Sequence, residues 1–257
     1  MITRVGEGET ITARERRDVI LLADHEEISI TRSRYGPGER GPDPHVHREH
    51  TDSFYVLEGE LRFEVGPDLE PVRVGLHGFV AVPPNVVHTF VNEGDVDARF
   101  LNFHTPDGDF AASLRARRDG NPVAWDSFDP PSDGGRPASE TVVTDPGEGE
   151  RLVTGSRMVW LKAVLPQLCF AEWALDGPFE GVPVHHHDHQ VDAFYVVDGE
   201  LELTVDDRVV IAEPGTLAAV PRGVRHTFTH AAPGTGRVLN VHAPEGGFAD
   251  VLRRMAS

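Results

Sequence analysis

Two short runs of this chain gather residues that bind metals. The first, DPHVHREHTDSF at 43–54, holds His45, His47, His50 and Asp52. The second, PVHHHDHQVDAF at 183–194, holds His185, His187 and Asp192 at the same spacing. Histidines two apart face the same side of an extended chain. A further histidine stands downstream of each run, His88 in AVPPNVVHTF and His226 in AVPRGVRHTF. Three imidazoles and a carboxylate suit a divalent first-row metal and can leave positions open for a substrate. The ligand type alone admits Fe, Mn, Co, Ni, Cu or Zn.

The elements that must bring these residues together are β-strands. SFYVLEGELRFEV and RFLNFH are rich in β-branched and aromatic residues and are punctuated by Gly and Pro. Only DGDFAASLRARR and GGFADVLRRM read as helices, one near the end of each half. Many short strands with turn signals predict a closed all-β unit, a barrel or jelly roll. If such a sheet closes, His45, His47, Asp52 and His88 can meet inside it, as can His185, His187, Asp192 and His226.

The chain is written twice. The first block repeats at an offset of 140 residues (45 to 185), and the later blocks at 138 (88 to 226, 104 to 242). The loop GPDLEPVR is the expected place for the two residues lost. The repeat predicts barrels at 1–118 and 140–257, joined by a linker at 119–139 that is rich in Pro, Gly, Asp and Ser. Trp125 and Phe128 in that linker predict that it packs on a domain surface.

These motifs resemble those of the cupin family. In the first copy they run Gly38, His45-x-His47, four residues, Asp52, six residues, Gly59; then Gly78, Pro83-Pro-Asn85, His88 and Asn92. In the second they include His185, His187, Asp192 and Gly199, then Gly215, Pro221-Arg-Gly223, His226 and His230. The resemblance covers both copies and implies a bicupin, all-β, with two tandem jelly-roll barrels (double-stranded β-helices), each followed by a short helix. It implies metal ligation by His45, His47, Asp52 and His88, and by His185, His187, Asp192 and His226. Asp replaces the family's Glu in both copies. Asp52 and Asp192 can therefore bind the metal directly, bind it through water, or act as catalytic bases. Asn85 stands where the family has Gly, a change that Asn tolerates because it visits left-handed conformations.

Three functions fit: a metal-dependent dioxygenase similar to the quercetinase-like bicupins, acting on a small aromatic or enol-type substrate; a metal-dependent isomerase, lyase or hydrolase of a small polar substrate; or a small-molecule-binding barrel without catalysis. The net charge of −18 argues against nucleic acid and anionic membrane partners. No apolar leader or spanning segment is visible, and the lone Cys169 cannot form an internal disulfide. A cytoplasmic monomer or homodimer acting on a small molecule is the expectation. Outside the eight proposed ligands, His50 can be a ligand, an outer donor or a loop residue. His186 and His189 are expected to face solvent. His104 and His242 can line the pocket mouth or hydrogen-bond to the terminal helix.

Overall fold

The computed structural model describes residues 1–154, 157–179, 181–230 and 234–256. They form two compact units, residues 9–147 and residues 1–8 together with 148–257.

The first unit has a seven-stranded antiparallel sheet in the order Val142–Thr144, Phe79–Val82, Thr51–Glu58, Ala98–Thr105, Ile28–Tyr35, Arg17–His25, Glu9–Arg14. A three-stranded sheet, Glu70–Gly75, Glu60–Val65, His88–Val91, faces it. Period-two alternation sends Phe54 and Val56 inward from Thr51–Glu58, where they meet Phe63 and Phe90 of the smaller sheet. With Tyr35 and Phe100 they form the core, and each such buried side chain stabilises by roughly 1.5–3 kcal/mol. Gly59 turns the chain into the next strand at φ +72, and a Cβ there would lie 2.6 Å from the Asp97 carbonyl oxygen, so only glycine fits.

The second unit repeats the plan. Its large sheet runs Ile2–Thr3, Leu217–Val220, Val191–Asp198, Thr235–Ala243, Leu168–Asp176, Arg157–Leu165, Glu150–Thr154, and its small sheet runs Arg208–Ala212, Leu201–Val205, His226–Thr229. Trp173, Phe194, Leu203 and Phe228 are prominent in its core. The helices Phe110–Arg118 and Phe248–Ala256 close their own units. Arg115 bonds Glu9 in one, and Arg253 bonds Glu150 in the other.

The two all-β jelly-roll barrels and their short terminal helices are as the sequence predicts. The missing residues are also where expected. The first copy turns through residues 66–69 between Glu60–Val65 and Glu70–Gly75, whereas the second turns through Asp206 and Asp207 alone. Asn85 adopts φ +67, matching Gly223 at φ +77. The borders differ from 118 and 140, because Val142–Thr144 pairs with Phe79–Val82 of the first unit and Ile2–Thr3 pairs with Leu217–Val220 of the second. No helix among the described residues is long and apolar enough to cross a membrane.

Candidate metal centres

In the first unit His45 lies beside His88 through an isolated bridge, and each backbone N–H donates to the other's carbonyl, at 3.1 and 2.9 Å. Asp52 enters from Thr51–Glu58, directly opposite His104 of Ala98–Thr105. His45, His47, Asp52 and His88 thus offer four ligand atoms within 4.8 Å of one another.

The rings are oriented from behind. Nδ1 of His45 donates to the Asp43 carbonyl (2.9 Å), that of His47 to Asp126 (2.6 Å), and that of His88 to Val86 (3.1 Å). A proton on Nδ1 leaves the Nε2 lone pair free to ligate. Nε2 of His47 is buried with no hydrogen-bond partner, an atom that a metal would satisfy. Burial pushes His45 down to about 3, so the ring is neutral at physiological pH. Burial alone would raise Asp52, but His104, His47 and His88 outweigh it and hold the carboxyl well below the usual range.

The second unit builds the same set. His185 and His226 bridge each other, and their Nδ1 atoms donate to the Pro183 (2.9 Å) and Val224 (3.0 Å) carbonyls. Oδ2 of Asp192 lies 3.0 Å from Nε2 of His226 and 3.5 Å from Nε2 of His187, which is buried and unpartnered. His185, His187, Asp192 and His226 fall within the same 4.8 Å limit. Both residue groups are compatible with a bound metal ion.

The centres differ in access. All four candidate ligands of the first are buried. The second opens on a cavity of about 600 Å³. Trp173, Phe228, Phe248, Val251 and Leu252 are among its apolar walls, while Asn240 and His242 lie at its polar end. Among the described residues, no Arg or Lys lines it.

The sequence profile of the Cupin domain family matches residues 31–104 and 176–242, more than half of the chain. The chain belongs to the cupin family. This bicupin is 27% identical over 96 residues to quercetin 2,3-dioxygenase of Bacillus subtilis (strain 168), a match spanning 34% of this chain and 26% of that enzyme. Its fold is similar to oxalate decarboxylase of Lactobacillus farciminis in a formate complex (TM-score 0.66, 13% identity, 95% of this chain and 86% of that one). It is also similar to oxalate decarboxylase of Bacillus subtilis at pH 4.6 (TM-score 0.66, 15% identity, 95% and 76%).

His186 and His189 are exposed. His50 is fully buried, its Nδ1 on Asp126 (2.8 Å) and its Nε2 on Nδ1 of His104 (2.8 Å). Its counterpart Gln190 turns instead to the Pro244 and Glu245 carbonyls. His104 and His242 do meet the terminal helices, but by stacking on Phe110 (centroids 3.6 Å) and Phe248 (3.4 Å), while their Nε2 atoms face Asp52 and Asp192. Nδ1 of His230 donates to the Glu200 carbonyl, whereas Asn92 donates to the Tyr35 and Val96 carbonyls. Two kinds of contributor went unpredicted. Asn102 and Asn240 donate to Asp52 and Asp192, and Asp126 reaches the first centre from the predicted linker. The asparagines left a signal, being repeated two residues before His104 and His242. Asp126 left none.

Proposed function

We propose that the second barrel is the catalytic one, a metal-dependent dioxygenase site for a small, largely apolar aromatic or enol substrate. The observation that carries this reading is the cavity of about 600 Å³, apolar along its walls, that ends at His185, His187 and Asp192, which gather with His226. These four would hold the metal, and Asp52, His45, His47 and His88 would hold its counterpart in the first barrel. A redox-active first-row ion held there supplies Lewis acidity toward a substrate oxygen and a route for electrons to dioxygen.

The chain's own residues do the rest. One carboxylate and three neutral imidazoles leave a divalent centre with a net single positive charge, which favours an enolate or phenolate oxygen. Asn240 occupies Oδ1 of Asp192 and leaves Oδ2 toward the histidines. The carboxyl is held below its usual range against the opposing effect of burial, chiefly by His242. That suits Asp192 to ligation more than to proton transfer. Trp173, Phe228 and Phe248 offer flat apolar faces to a planar ring and exclude water. Oxalate, after which the structural neighbours are named, is a small dianion, and among the described residues this cavity sets no Arg or Lys against a second carboxylate.

The test is oxygen consumption by protein loaded in turn with Fe, Mn, Co, Ni, Cu and Zn, offered flavonols, catechols, β-diketones and oxalate. Oxygen uptake with an apolar enol, lost in His226→Ala, is expected. Turnover without oxygen uptake would replace this reading with an isomerase or lyase. Binding without turnover would leave a ligand-binding barrel.

A further inference from the structure

The first centre is shut by a strap from the segment between the repeats. Its ligands His45, His47, Asp52 and His88 are 7%, 2%, 4% and 1% exposed. The Trp125 ring lies against His47 at a centroid distance of 5.2 Å, and its centroid is 5.7 Å from that of His104 and 5.3 Å from that of Phe110. The Asp126 carboxylate accepts from the backbone N–H groups of Arg48 (2.9 Å), Glu49 (2.9 Å) and His50 (3.2 Å), and from Nδ1 of His50 (2.8 Å). Its carbonyl accepts from Nδ1 of His47 (2.6 Å). Two residues later the strap is tied down again. Val46 and Phe128 exchange backbone hydrogen bonds at 2.9 and 3.0 Å, and the Arg48 guanidinium sits 3.7 Å over the Phe128 ring.

Asp126 therefore does two things at once. It ties the backbone that follows His45-x-His47, and it sets the tautomer of His47. Behind it, His50 passes the restraint to His104, which faces Oδ1 of Asp52 at 3.5 Å. The second barrel has Gln190 in place of His50, His187 keeps 18% of its side chain exposed, and the cavity reaches its ligands.

A metal leaves a protein by exchanging ligands one at a time with water or a chelator, which requires room beside it. Four protein donors with no room make a closed structural centre. Donors that open on a cavity make an exchangeable one. We propose that the first barrel holds its divalent metal as a closed structural centre locked by Asp126 and Trp125. The chain then carries two metal equivalents of unequal lability, and only the second barrel's is in reach of substrate. This assignment does not depend on which reaction the second barrel performs.

The experiment loads the whole protein with zinc and chases it with excess 4-(2-pyridylazo)resorcinol, reading released zinc against time. Two equivalents are expected, one released quickly and one slowly. A His185→Ala/His226→Ala variant should keep only the slow one. Asp126→Asn and Trp125→Ala should each speed the slow phase by ~10–100-fold, the usual effect of losing a residue that orients a ligand, and leave the fast phase alone. Should either variant fail to fold, the wild-type chase still decides. Binding of a single equivalent, release of both at one rate, or loss of the slow phase in the second-barrel variant would each overturn the proposal. So would an unchanged slow phase in folded Asp126→Asn.

Discussion

Asn240 donates its side-chain amide to Oδ1 of Asp192 at 2.5 Å, and both residues are buried. The contact fixes the orientation of a carboxylate shorter than the family's Glu. One oxygen is pinned from the neighbouring strand, and the other is left 3.0 Å from Nε2 of His226. Asn102 holds Asp52 in the same way. Replacing Asn240 by Ala should free the carboxylate and weaken metal binding in the second barrel by ~10–100-fold. Metal titration by calorimetry checks this, with the first barrel's equivalent as the internal control.

Removing the charge is a sharper test. Asp192→Asn should cost the second barrel its metal equivalent under conditions where wild type is saturated, and Asp52→Asn should cost the first barrel its own. Elemental analysis of dialysed protein reads both. Full metal content with no turnover in Asp192→Asn would make the aspartate a base and remove it from the ligand set.

The metal-free protein should lose stability as pH falls. Burial pushes His45 down to about 3 and His242 to about 4. In the unfolded chain both take a proton near ~6.5. Below that pH the unfolded state binds protons that the folded state refuses, so folding weakens by up to ~1.4 kcal/mol per pH unit for each histidine. The loss from His242 runs down to about 4 and that from His45 to about 3. The depressed carboxyls of Asp52 and Asp192 add to it only below about pH 5, where unfolded aspartate begins to protonate. Urea midpoints of apoprotein between about pH 7.5 and about pH 5 should fall steadily, and His242→Gln should flatten the slope.

Cys169 should be silent. Its side chain is fully buried in the second core, and burial pushes the thiol up to about 12. Only ~10⁻⁴ of it is ionised near pH 8, and the thiolate is the reactive form. Ellman's reagent should find no thiol in the folded protein and one after denaturation.

The proposed ligands were legible because each argument was local. His45 and His47 share a face through period two, Asp52 follows one turn later, and the second copy repeats both. The barrels were legible for the same reason, since strands such as Glu60–Val65 alternate cleanly. Strands of two or three residues, Ile2–Thr3 and Val142–Thr144, are too short to show a period, so the unit borders were missed. The contrast between the two centres was hidden as well. It rests on Asp126, which contacts His50 from 76 positions away and lies in a stretch with no pattern. The stacking of His104 on Phe110 was missed because a bond to the helix was sought from the ring's nitrogens and not from its face.

The pairing of Ile2–Thr3 with Leu217–Val220 also bears on the order in which the chain is made. The Met1 amine donates to the Ala219 carbonyl, 218 positions downstream. A ribosome finishes every strand of the first barrel once residue 147 has emerged, so that unit can close while synthesis continues. The second cannot complete its sheet from newly made chain alone. Its edge strand, Ile2–Thr3, is made ahead of the whole first barrel and has to wait for Leu217–Val220 before it can pair.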